Sequence, residues 1–104
     1  MTPDTAFAAL ADPTRRRIFE RLRHGSQTVG DLARFARVSQ PAASQHLRTL
    51  RRAKLVADRR LGTRRLYHAT PEGLKALRRY VESLWDDVLV AYATTGATIR
   101  EGAQ

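Results

Sequence analysis

Between Ser39 and Thr70 stand the residues of this chain best equipped for chemistry, and they are suited to gripping a partner rather than breaking bonds. Eight Lys or Arg (Arg48, Arg51, Arg52, Lys54, Arg59, Arg60, Arg64, Arg65) accompany a single acid, Asp58, so this third of the sequence holds +7 of the formal net charge of +9. Residues 1–38 carry seven bases and four acids, and residues 71–104 carry four and five, so the positive field is directional. A confined basic field is the electrostatic footprint of a nucleic-acid binder. Among the cations lie Gln40, Ser44 and Gln45. Their amides can meet adenine edges, a small hydroxyl lets a helix approach closely, and Arg48 can meet guanine or phosphate. A solvated basic face is the ordinary reading of a charge run. Here the run coincides with a helix followed by a hairpin, which argues for the functional one.

Catalytic readings find little support. The three histidines are His24, at a helix end, His46, and His68, at strand spacing from Leu66 on a hairpin surface. There is no nucleophile elbow, phosphate loop, H-E-x-x-H or pair of catalytic acids. An enzyme is not expected, nor is a cofactor. The absence of cysteine excludes disulfides, thiolate metal sites and Cys nucleophiles, and suits a cytoplasmic protein. Met1-Thr2-Pro3-Asp4 lacks the basic and apolar regions of a leader, and no apolar stretch approaches the roughly 20 residues needed to span a bilayer. Neither secretion nor a membrane partner is expected. Arginine makes up 17 of the 19 basic residues, and its planar fork suits phosphate and guanine.

The elements that must position these groups follow from caps and periodicity. Thr5 to Leu10 predicts a short helix; Asp12-Pro13 opens a second, with Ile18, Phe19 and Leu22 inward, which His24-Gly25 ends. Thr28-Val29-Gly30-Asp31 has the form of a capping box and starts a third, burying Leu32, Ala33, Phe35 and Ala36. After the tight connection Arg37-Val38-Ser39, a helix from Gln40 to about Ala53 buries Ala43, Leu47 and Leu50 and turns Gln40, Ser44, Gln45 and Arg48 outward. Pro41 fits its first turn. Two short helices so joined make a helix-turn-helix. Val56 to Leu61 and Arg64 to Ala69 predict a hairpin about Gly62-Thr63, its tip flanked by Arg59, Arg60, Arg64 and Arg65, with the register left open.

Thr70-Pro71 opens the longest predicted helix, about 24 residues. Leu74, Leu77, Val81, Leu84, Val88 and Ala91 form a heptad seam that Trp85, Leu89 and Tyr92 widen. So broad an apolar stripe exceeds what a domain of this size can cover, so it predicts pairing with a second copy. The alternative is packing wholly on its own domain, and core packing is the ordinary role for Trp85 and Tyr92. Residues 1–95 read as one domain and residues 96–104 as a frayed tail.

The stretches Ala9-Leu10-Ala11-Asp12-Pro13-Thr14-Arg15-Arg16, Ser39-Gln40-Pro41-Ala42-Ala43-Ser44-Gln45-His46-Leu47 and Gly62-Thr63-Arg64-Arg65-Leu66-Tyr67 resemble signatures of the ArsR-type winged helix-turn-helix repressors, over about residues 5 to 92. The resemblance implies a mainly α fold with a small β-hairpin, and a homodimer through N- and C-terminal helices, with Phe7, Leu74, Leu77, Val81, Leu84, Trp85, Val88 and Tyr92 at the interface. It also implies repression by occupying operator DNA. Metal-sensing members carry a Cys-rich box where Thr28-Val29-Gly30-Asp31-Leu32 stands, or Asp and His ligands on the C-terminal helix. Neither is present, so no metal site is expected. Arg37 stands where relatives commonly have Gly.

The expected DNA contacts are therefore Ser39, Gln40, Pro41, Ser44, Gln45, His46, Arg48 and Arg51 on the helix and Arg59, Arg60, Arg64 and Arg65 on the wing. His46 adjoins both this face and the core face. A palindromic operator read by two helices about 34 Å apart follows. Two alternatives are a non-specific or architectural nucleic-acid binder, and a regulator answering a small-molecule or protein effector near Trp85 and Tyr92.

Overall fold

The computed structural model describes the backbone of residues 2–103 and the side chains of residues 2–94. Helix α1 (Asp4–Ala11) is followed at once by α2 (Pro13–Arg21), because Asp12 is extended and its carboxylate accepts the Arg15 amide at 2.8 Å. That hydrogen bond, first among several causes, holds the Asp12 carboxyl below its ordinary pKa. The last carbonyls of α1 have no helical partners. Arginine side chains from α2 satisfy them: Arg15 donates Nε to the Ala9 carbonyl at 2.6 Å and Nη2 to that of Ala8 at 3.2 Å, and Arg16 donates to Leu10 at 2.9 Å. These basic side chains of α2 therefore splice two helices, from the half-buried Arg15 and the exposed Arg16. A 3₁₀ turn, Leu22–His24, completes α2 before Gly25.

Helix α3 (Val29–Ala36) begins with the predicted capping box. The Asp31 amide donates to the Thr28 hydroxyl at 3.1 Å and the Thr28 amide to the Asp31 carboxylate at 3.4 Å. Hydrogen bonding with Thr28, through its side chain first, lowers the Asp31 pKa. Leu32, Ala33 and Ala36 are buried as expected, but Phe35 is only half-buried. Its ring lies under two guanidinium groups of α2, Arg17 at 5.2 Å and Arg21 at 5.0 Å, which lets an aromatic residue sit at the surface.

Helix α4 (Gln40–Arg52) is capped by the Ser39 hydroxyl, which accepts the Ala42 amide at 3.2 Å. Both α3 and α4 end in the same device. Val38 N–H reaches the Ala33 carbonyl and Arg37 N–H that of Arg34; Leu55 N–H reaches Leu50 and Lys54 N–H reaches Arg51. This is the Schellman pattern, which needs a left-handed residue and normally uses glycine. Here Arg37 (φ 58°) and Lys54 (φ 60°) fill the position. The connection before α4 thus follows the path a glycine would take, at the expense of strain. Arg37→Gly is expected to raise stability by about 0.5–1 kcal/mol, relief of left-handed strain less the added freedom of the unfolded chain. A denaturant midpoint that falls would contradict it.

Strands β1 (Val56–Leu61) and β2 (Arg64–Ala69) form an antiparallel hairpin turning at Gly62, φ 64°. The register, open from sequence, pairs Val56 with Ala69, Asp58 with Tyr67, and Arg60 with Arg65. A further bridge, Tyr67 with Gln27 (amide-to-carbonyl 2.8 and 3.0 Å), ties the wing to the segment before α3. The core gathers Ile18, Leu32, Leu47, Leu50 and Leu55, all fully buried. Each contributes about 1.5–3 kcal/mol by leaving water.

Helix α5 spans Pro71–Ala103, longer than the predicted end at Thr95. The expected frayed tail, 96–104, concerns side chains outside the described residues. At its start α5 is bolted to the turn ending α4: Thr70 N–H donates to Leu55 (2.9 Å), while Thr70 Oγ1 (2.9 Å) and Gly73 N–H (2.8 Å) both donate to the Lys54 carbonyl. Gly73 and Ala76 are buried and Leu77 packs on the core. The Phe7 ring of α1 meets Tyr80 edge-on at 5.5 Å. From Val81 to Thr94 every residue is exposed. The stripe therefore does not pack wholly on its own domain, and core packing does not account for Trp85 (62 % exposed) or Tyr92 within one chain.

Candidate nucleic-acid interface

Burial of Ala43, Leu47 and Leu50 fixes the roll of α4 and turns Ser39, Gln40, Pro41, Gln45, Arg48 and Arg51 outward, all exposed, with Ser44 half-buried. His46 is set apart from them. It is half-buried, and its Nδ1 lies 3.4 Å from Arg15 Nη1 at the α1–α2 splice. Its place is on the edge nearest the domain body.

Directly paired residues of a hairpin share a face, and successive residues alternate. Asp58, Arg60, Arg65 and Tyr67 thus lie on one face of the wing, and Arg59, Leu61, Arg64 and Leu66 on the other. The first face looks toward α4, because the Asp58 carboxylate pairs with Arg51 of α4 at 2.7 Å and with Arg65 of β2 at 3.4 Å. Between helix and wing lies a groove of about 220 Å³ lined by Ser44, Leu47, Arg48, Arg51, Arg65 and Tyr67. The structure therefore brings together Ser44, Arg48, Arg51 and Arg65. Arg60 shares their side of the hairpin nearer its tip, while Arg59 and Arg64 point from the opposite side. All four wing arginines are exposed. His68, expected on the hairpin surface, is half-buried, with Nδ1 enclosed and without a hydrogen-bond partner among the described residues.

Sequence reasoning missed Asp58 as a joint. Its isolation among cations was visible, but its reach to Arg51 depends on the register. It also missed Gly73, whose role requires knowing that α5 crosses the end of α4. Among the described residues no group of three His, Cys, Asp or Glu could hold a metal ion. Nor is any described helix long and apolar enough to cross a membrane.

The helix, turn, helix and wing geometry coincides with what known proteins show. Residues 10–59 match the family described as Helix-turn-helix domain. The HTH-type transcriptional regulator Rv2034 of Mycobacterium tuberculosis is 54 % identical over 92 residues, covering 88 % of this chain and 86 % of that protein. An ArsR-like transcriptional regulator from Rhodococcus superposes with a TM-score of 0.73 at 32 % identity, over 88 % of this chain and 90 % of that one. The chain belongs to the ArsR family of winged helix-turn-helix transcriptional regulators. Another member-like structure, the homodimeric winged helix-turn-helix DNA-binding domain Mb0332 of Mycobacterium bovis, aligns with a TM-score of 0.65 at 30 % identity, over 83 % of this chain and 80 % of that one. In this ArsR-family chain α3 and α4 are the helix-turn-helix, and β1–β2 is the wing.

Proposed function

We propose that this ArsR-family protein is a repressor that binds a palindromic operator in double-stranded DNA as a homodimer, in the cytoplasm, and that it acts without catalysis or a metal. The observation that carries this reading is the exposed row Gln40, Gln45 and Arg48 on α4 beside an arginine-lined groove closed by the wing. Amide and guanidinium groups presented on one helix face suit the donor and acceptor pattern of the major groove. The wing cations suit phosphate, which gives affinity without sequence.

Dimerisation is supported by the apolar face of α5, where Val81, Leu84, Trp85 and Val88 are 51, 45, 62 and 61 % exposed. Leu74 and Tyr92 extend this face and Phe7 flanks it from α1, each 42 % exposed, whereas Leu77 already belongs partly to the core. A contiguous apolar patch of this kind marks an association site. A metal-sensing version does not fit, since the chain has no cysteine and α5 no histidine.

Selection from random duplexes followed by footprinting tests the proposal. The expected result is protection of one inverted repeat at a salt concentration that releases random DNA. Uniform protection at every salt concentration would identify an architectural binder instead. The two parts of the site are expected to separate in mutants. Arg64→Ala, on the wing face away from Asp58, should weaken all duplexes alike and reduce the slope of log K against log salt by about 0.9. Gln45→Ala should cost about 1–3 kcal/mol at one base position and leave the slope nearly unchanged. Loss of sequence preference from Arg64→Ala alone would overturn this division.

A further inference from the structure

One acid joins the wing to α4 through ion pairs. Asp58 is the single carboxylate among eight cations between Ser39 and Thr70, and its side chain is only 18 % exposed. Each of its oxygens is committed: Oδ1 to Arg51 Nη1 at 2.7 Å, Oδ2 to Arg65 Nε at 3.4 Å. Arg51 lies in the last turn of α4 and Arg65 near the start of β2, so the carboxylate spans two elements that do not otherwise present opposite charges to each other.

We infer that Asp58 is a specificity-determining positioning residue, which holds the wing at a fixed angle to the reading helix and aims two arginines at the DNA backbone. This rests on the DNA-reading function proposed above. The argument is one of donor geometry. A guanidinium carries five N–H groups in a rigid fork, and Asp58 engages one side of each. Arg51 keeps Nε and Nη2, and Arg65 keeps both Nη groups, to donate to phosphate. The acid thus orients the forks without consuming them. It also subtracts charge from the centre of the basic field, which penalises binding to any arbitrary polyanion while leaving the operator complex, where helix and wing both fit, less affected. Discrimination of this kind combines a favoured fit with a built-in penalty for the wrong partner.

The test compares Asp58→Asn, Asp58→Glu and the charge control Glu20→Gln, which adds the same unit of charge on α2. Fluorescence anisotropy would measure each against a random duplex and against the duplex that the wild type selects, across a salt series. Asp58→Asn is expected to bind the random duplex more tightly with a steeper salt slope, and to lose about tenfold in preference for the selected duplex. Asp58→Glu should recover part of that preference. Glu20→Gln should leave it unchanged. Amide hydrogen exchange on the free proteins is an arm that needs no DNA. Asp58→Asn should speed exchange in β1 and β2 about tenfold while core amides of α2 and α4 hold. An equal shift for both duplexes, matching Glu20→Gln, together with unchanged wing exchange, would overturn the inference. A wild type that prefers no duplex would sink the DNA-reading proposal instead, with the exchange arm still deciding whether Asp58 fastens the wing.

Discussion

Leu84→Glu is expected to leave a folded protomer that no longer pairs and that binds its operator at least about 100-fold more weakly, since the second half-site contact is no longer delivered on the same particle. Leu84 lies on the outer face of α5, 45 % exposed, and substitutions at such positions change protomer stability by only about 0.5 kcal/mol. In a paired state the same carboxylate would be enclosed against a second apolar stripe, where an unpaired charge is strongly disfavoured. Val88→Glu, one helical turn further along at 61 % exposed, should behave alike. Light scattering at micromolar concentration and a gel shift on the selected operator read the two effects. A variant that stayed dimeric with unaltered DNA affinity would refute the assignment of this face.

The second large effect is expected at Gly73. A Cβ built there would lie 2.5 Å from the Ala53 carbonyl oxygen and 2.7 Å from Leu55 Cδ2, and the first of these is backbone that cannot swing aside. Gly73→Ala must therefore push α5 away from the end of α4, stretching the bonds to Lys54 and Leu55. A loss of about 2–3 kcal/mol follows from overpacking, or roughly 10–20 °C in Tm for a chain of this length. Gly30→Ala is the control: its added carbon would meet nothing nearer than Gln40 Nε2 at 3.4 Å, so helix propensity alone should operate. Thermal unfolding followed by circular dichroism, with both variants at one protein concentration, distinguishes the two. Coincident melting curves would show that the contact at Gly73 is slack.

Both predictions use features that stand at different distances from the sequence. The helix starts at Asp12, Thr28 and Ser39 were legible because a cap is a local bargain among residues three apart, and each hydrogen bond is found where expected. The roll of α4 was legible for a similar reason: Ala43, Leu47 and Leu50 repeat at helical spacing, and their burial turns Gln45 and Arg48 outward. Gly62-Thr63 located the hairpin turn, but which strand residues oppose each other depends on packing against α4 and on the Gln27–Tyr67 bridge, both remote in sequence. Asp58, Gly73 and the Arg15 splice share that dependence. Phe35 misled because its apolar ring satisfied the buried period of α3, while the cations that cover it come from another helix. Arg37 and Lys54 disguised two helix ends, since a long basic side chain gives no hint of the left-handed backbone beneath it.

The three hydrogen bonds that fasten the first turn of α5 to the close of α4 leave no hinge between the arm and the reading head. In a pair built on α5, the two heads are then like the points of a pair of dividers, whose gap is set solely by the angle at which the legs cross. Whatever alters that angle, at any point along the legs, retunes the match to the pitch of the double helix without touching a residue that contacts it.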